Sequence, residues 1–172
     1  MFQRAKPEDL RRVRDFYWNL IDEMKSENEK IGWKKGIYPT DEYLQDSILN
    51  GELYLLTNES GLCACVILNS ACNEGYSDVP WRFGCPSDEA LIPHALAVSP
   101  AMQGRGIGTK LVHEIIRKAK SEGKKAVRLD ILGTNEAAER LYTKCGFEFT
   151  AAKQLFYEDT GWTEYKMFEL AL

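Results

Sequence analysis

The sequence predicts a single α/β domain built on a mixed β-sheet, and three observations predict it. Apolar runs and amphipathic stretches alternate along the chain in the order β-α-α-β-β-β-α-β-α-β-β. One apolar run, Leu91 to Val98, leads through a glycine-rich turn into a strongly amphipathic stretch, which is the pattern of a strand–turn–helix unit. Further on, Val127, Leu129 and Ile131 alternate with Arg128 and Asp130, the period of a strand with one buried face.

In chain order, Phe2 to Ala5 suits a short first strand. Pro7 fits the first turn of a helix, where its missing N–H costs nothing, and Glu8 and Asp9 suit the positive end of the helix dipole. Leu10, Val13, Tyr17, Leu20, Ile21 and Met24 then recur at helical spacing, with an end expected near Ser26. The stretch from Glu27 to Thr40 is polar and broken by Gly32, Gly36 and Pro39. Thr40 is a natural N-cap for a second helix, Asp41 to Leu49, which Asn50-Gly51 stops. Leu53–Thr57 and Leu62–Asn69, joined by Asn58-Glu59-Ser60-Gly61, read as a hairpin.

A long irregular stretch, Ser70 to Asp88, follows. Loops of this length are often functional; the alternative is an insertion that packs on the surface. Leu91–Val98 is the strand before the glycines. After them, Ile107, Leu111, Val112, Ile115, Ile116 and Ala119 mark one side of a helix that Gly123 caps. Asn135 suits the N-cap of a short helix through Lys144, with Gly146 just past its end. Phe147–Gln154 and Glu164–Leu170 are the last two strands.

The 172 residues suit one domain spanning 1–172, with a core large enough to need no disulfide or metal staple. The net charge of −4 and pI near 5.3 exclude a nucleic-acid footprint. The five cysteines are an odd number without a C-x-x-C, so they point to no disulfide framework or zinc knuckle. Cys63 and Cys65, two apart on a strand, read as small core residues. His94 and His113 have no metal-site spacing, so no metal is expected. With no apolar leader and no run of transmembrane length, the expectation is a cytoplasmic, reduced protein without a membrane partner.

The chemistry concentrates at Gln103-Gly104-Arg105-Gly106-Ile107-Gly108-Thr109. Glycines let the backbone bend tightly and let a ligand approach it. The helix that follows adds unpaired first-turn N–H groups and the positive dipole end, so the turn suits an anion such as phosphate. A P-loop would need Gly-Lys-Ser/Thr, but the order here is Gly108-Thr109-Lys110. A dinucleotide fingerprint would need G-x-G-x-x-G, but Gly104, Gly106 and Gly108 give G-x-G-x-G.

Gln103-x-x-Gly106-x-Gly108 instead resembles the Arg/Gln-x-x-Gly-x-Gly/Ala motif of the GNAT superfamily of acetyl-CoA-dependent N-acetyltransferases. A second block, from Asn135 through Ala138, Leu141, Tyr142 and Lys144 to Gly146-Phe147, is similar to that superfamily's downstream segment. The two blocks and the strand between them cover about a third of the chain, from His94 to Phe149. The resemblance implies a splayed, mixed sheet with helices on both faces. It implies acetyl-CoA held by Gln103, Gly104, Arg105, Gly106, Ile107, Gly108 and Thr109. It assigns the Leu96 N–H to the acetyl oxygen and Val98 to the pantetheine arm, with Ala97 between them and Asn135 nearby.

The same resemblance makes Tyr142 the acid that protonates the departing thiolate. His94-Ala95-Leu96-Ala97-Val98 resembles the strand in which arylalkylamine N-acetyltransferases carry a histidine relay, so His94 is the candidate base. The relay's second position holds Ile92, where many members of the superfamily place a glutamate. The acceptor it implies is a small-molecule primary amine. A peptide or protein N-terminus, or a coenzyme A-binding regulator without turnover, is the alternative, and a homodimer fits either. Glu74, Asp78, Asp88 and Glu89, with Tyr76, Trp81 and Phe83, form an acidic and aromatic set suited to a cationic amine.

Overall fold

The computed structural model describes residues 1–23 and 31–172. Seven strands form one sheet: β1 (Phe2–Arg4), β2 (Leu53–Asn58), β3 (Gly61–Asn69), β4 (Ala90–Val98), β5 (Ala126–Leu132), β6 (Glu148–Tyr157) and β7 (Gly161–Ala171). Their spatial order is β1-β2-β3-β4-β5-β7-β6, and every pairing is antiparallel except β4 with β5. Among the described residues four α-helices accompany them: α1 (Leu10–Glu23), α2 (Asp41–Leu49), α3 (Ile107–Ser121) and α4 (Glu136–Lys144). The expected end of the first helix near Ser26, and the start of the polar stretch after it, lie outside the described residues.

Helices cover both faces, and the sequence of β2 shows why. Leu53 and Leu55 pack with Val13, Tyr17 and Leu20 of α1 and Leu44 and Ile48 of α2, while Tyr54 and Leu56 face Leu111 and Ile115 of α3. A strand buried on both sides reads as a continuous apolar run. The caps form where expected: the Thr40 hydroxyl accepts the Tyr43 N–H at 3.0 Å, and the Asn135 side chain accepts the Ala138 N–H at 3.1 Å. Cys63 and Cys65 are both buried.

Two expectations need correction. The strand β5 is buried on both faces, not one: Arg128 is 3% exposed and pairs with Glu169, Nε to Oε1 at 2.9 Å. The buried guanidinium is tolerated because each of its three nitrogens has an acceptor: Arg128 also donates to the carbonyls of Phe83 (2.6 Å) and Cys85 (3.2 Å). The last two strands also run further than expected, closing on a short turn at Glu158-Asp159-Thr160. Cross-strand pairs, Tyr157 against Tyr165 and Phe156 against Trp162, hold that hairpin together.

The sheet opens in the middle. β4 and β5 pair only at Ala90–Leu91 with Ala126–Val127. Beyond that, β4 stays bonded to β3 as far as Val98, and β5 stays bonded to β7 as far as Leu132. The two halves therefore diverge as a V.

Candidate active site

A β-bulge shapes one wall of the V. Cys65 pairs with Ala97 and Ile67 with His94, so β4 uses one more residue than β3 over the same span. Ala95 absorbs it at φ +49°, the one non-glycine residue with positive φ among the described residues. Its carbonyl is turned out of the ladder and accepts the buried Tyr17 hydroxyl of α1 at 2.6 Å. Beyond the bulge, Ser99 donates its N–H to Cys63 across β3. Strand alternation then points the N–H groups of Val98 and Leu96 away from β3, into the V.

The glycine turn forms the next part of the wall. Gly104 and Gly106 sit at φ +71° and +76°, where a Cβ would be strained. Gly106 is the N-cap of α3 and brings no capping side chain. Among the described residues, no protein acceptor meets the N–H groups of Gly104, Gly106, Ile107, Gly108 and Thr109. Gly108 serves packing as well: a Cβ there would lie 3.2 Å from Leu141 of α4. A row of free amides at the start of a 15-residue helix fits the pyrophosphate of coenzyme A.

A cleft of about 880 Å³ runs through the V from one face of the sheet to the other. His94, Leu96, Ala97, Val98, Gln103, Gly104, Gly106, Ile107, Gly108, Thr109, Asn135 and Tyr142 all line it. Arg105 does not line it; its side chain is exposed on the outside of the turn. Asn135 has its Oδ1 committed to the N-cap of α4.

Tyr142 is 5% exposed, edge-on to Phe147 at 5.3 Å, and its hydroxyl has no hydrogen-bond partner among the described residues. Burial, with the nearby Asp130 charge, raises its pKa, so the phenol stays protonated. His94 turns toward the end of β3, its Nε2 2.9 Å from Asn69 Oδ1, and burial pulls its pKa down to about 4.

The sequence alone passes over several cleft residues. Asp130 of β5 also lines the cleft. Its Oδ1 accepts the hydroxyls of Tyr76 (2.5 Å) and Tyr157 (3.2 Å), and its own main-chain N–H adds to the carboxylate's partners. Desolvation raises its pKa despite those bonds. On the α1 face the lining continues with Leu20, Trp33, Tyr38, Tyr157, Asp159 and Tyr165. The Tyr157-Glu158-Asp159-Thr160-Gly161 turn was the available signal for two of them.

The acidic and aromatic set expected in the Ser70–Asp88 loop is not at the cleft: Glu74, Asp78, Asp88, Glu89, Tyr76, Trp81 and Phe83 are all absent from its lining. Tyr76 supports Asp130 from behind, and Trp81 stacks over the Arg128 guanidinium, 4.7 Å from the ring centroid. Buried aromatic and ionic contacts pin this loop to the sheet, which draws it away from the cleft.

Comparison with known proteins agrees with this geometry. The acetyltransferase (GNAT) family matches residues 61–147, half of the chain. The N-alpha-acetyltransferase RimI of Mycobacterium tuberculosis is 35% identical over 74 residues, 43% of this chain and 45% of that protein. The first curated relatives are matched over only 20% to 45% of their own length. A GNAT-family acetyltransferase structure from Streptococcus agalactiae superposes with a TM-score of 0.80 at 20% identity, covering 100% of this chain and 95% of that one. A phosphinothricin acetyltransferase from Sinorhizobium meliloti, solved with AcCoA, gives 0.70 at 17% identity, covering 100% and 88%. With its family pattern spanning half the sequence and its fold shared end to end, the chain belongs to the GNAT acetyltransferase family.

Proposed function

We propose that the protein transfers an acetyl group from acetyl-CoA directly to a primary amine of a small molecule. The observation that carries this reading is the opening between β4 and β5. The edge of β4 carrying Leu96 and Val98 and the uncapped Gly104–Thr109 turn line the same cleft, which supports this reading. The turn holds the pyrophosphate, the edge of β4 holds the pantetheine arm with the Asn135 amide nearby, and the Leu96 N–H donates to the carbonyl oxygen as negative charge builds on it. The solved relative with AcCoA supports this reading of the cofactor arm.

An ammonium must lose one proton before its nitrogen can attack the acetyl carbon. Asp130, a carboxylate on the cleft wall, is the better acceptor for that proton. His94 stays neutral at working pH and is a weak base, which suits it to holding a bridging water. The new C–N bond forms, the C–S bond breaks, and the Tyr142 hydroxyl gives its proton to the departing sulfur. The amide nitrogen's surplus proton then returns to the phenolate, so one proton is released overall. Among the described residues no cysteine lines the cleft, which favours direct transfer over an acetyl-enzyme.

A peptide N-terminus as acceptor is the second reading, and the RimI likeness favours it. The test of the acid is Tyr142→Phe, which keeps the ring and its packing. Turnover should fall by roughly 10² or more, the scale of acid catalysis, with acetyl-CoA affinity unchanged. Near wild-type turnover, with chemistry rate-limiting, would leave Tyr142 a core residue only.

A further inference from the structure

The half of the cleft on the α1 face has a chemistry of its own. Trp33 and Tyr38 come from the segment before α2, and Tyr157, Asp159 and Tyr165 from the β6–β7 hairpin. The two segments are in close contact: a Cβ on Gly32 would sit 2.3 Å from Thr160 Cγ2 and 3.9 Å from Asp159 Oδ2. The rings pack as pairs, Trp33 with Tyr38 at 6.0 Å and Tyr157 with Tyr165 at 4.9 Å between centroids. Thr160 Oγ1 holds the Tyr165 hydroxyl at 2.8 Å.

Asp159 is 8% exposed and forms no ion pair among the described residues. Main-chain N–H groups of Asp159 and Thr160 meet its carboxylate, Lys34 acts on it only at a distance, and desolvation pushes its pKa up. Asp130 borders the same space, and burial, with the charges of both carboxylates behind it, raises the pKa of the Tyr38 and Tyr165 hydroxyls. The lining cations among the described residues, Arg140 and Lys144, belong to α4 on the other face, and Arg140 is paired with Glu136 at 3.2 Å. This half of the cleft thus joins two carboxylates to four aromatic rings, with no cation in its wall among the described residues. A buried carboxylate lacking a counter-charge is costly, and a ligand ammonium removes that cost while the ring faces attract it further.

We propose that the acceptor is a small diamine: one amine reacts between Asp130 and Tyr142, while a second ammonium sits among the aromatic rings against Asp159. This rests on the acetyltransferase reading and specifies its substrate class. An acceptor carrying a carboxylate at the same position would bring an anion against Asp159 and be repelled.

The test is thiol release by the intact protein, at saturating acetyl-CoA, with a series of straight-chain α,ω-diamines. Each is compared with the monoamine and the ω-aminocarboxylate of equal length. The best diamine should exceed its monoamine in kcat/KM by at least ~10-fold, about 1.4 kcal/mol, with the aminocarboxylate below both. Added salt should narrow the gap, and Asp159→Asn should bring the diamine-to-monoamine ratio toward one. Equal rates for diamine and monoamine in the wild type would overturn the inference while leaving acetyl transfer intact, and that comparison needs no variant. A preference that survives in Asp159→Asn would overturn the role of Asp159. Acetyl-CoA binding without thiol release to any amine would overturn the acetyltransferase reading itself.

Discussion

His94 shows how burial alters what a residue can do. An unperturbed histidine titrates near 6.5, but this ring sits in the sheet against Asn69 and titrates at about 4. The folded protein therefore binds that proton less readily than the unfolded chain does. The stability this contributes is complete above about pH 6.5 and is lost as pH falls toward 4, on the order of 3 kcal/mol in total. Chemical denaturation across that window should show the wild type losing stability more steeply than His94→Asn. Parallel losses would mean that the ring is not held neutral in the fold. For the same reason, a rate limb near pH 6.5 belongs to the amine or to another group. The neighbouring Asp130 was visible in the sequence only as an acid at the end of a strand. Its importance comes from the Tyr76 and Tyr157 hydroxyls brought from 54 and 27 residues away, which no local pattern records.

At the scale of elements, the two walls of the V differ in how far the sequence discloses them. The turn into α3 was legible because Gly104 and Gly106 are needed at positive φ, and alternating glycines are the trace that need leaves. The bulge in β4 was not legible, because an alanine occupies the strained position and the Tyr17–Ala95 hydrogen bond that supports it spans 78 residues. The β6–β7 hairpin was underestimated because its ends carry exposed aromatics, Phe156 at 53% and Trp162 at 73%, which follow no inside–outside alternation. Gly106→Val tests the turn. It places a side chain where nothing else lies within 4 Å, so the fold should persist, but on the proposed reading that space is where the pyrophosphate approaches. Acetyl-CoA affinity should fall at least ~10-fold, about 1.4 kcal/mol. Gly123→Val, at φ +70° with equal free space at the opposite end of α3, carries the same backbone strain and should bind normally. Calorimetry giving equal affinities for the two variants would remove the turn from the binding site.

For the whole molecule, the decisive feature is a sheet that is open at its centre and covered by helices on both faces. The cleft passes through it, with the glycine turn and α4 on one side and the aromatic rings with Asp159 on the other. On the reading proposed above, acetyl-CoA and amine enter from opposite faces and meet at Asp130, His94 and Tyr142, with no covalent relay. The fold class and the glycine turn were legible because they repeat local patterns of glycine, cap and period. The acceptor wall was not, because it is assembled from two distant segments of ordinary composition. The most direct test mixes the wild-type protein with acetyl-CoA, first alone and then with the amine series, and measures free thiol and N-acetylated amine together. Direct transfer predicts no burst of thiol before amine is added, then one thiol for each N-acetylated amine. A stoichiometric thiol burst without amine would contradict direct transfer, and tight binding with no thiol under any condition would contradict catalysis altogether.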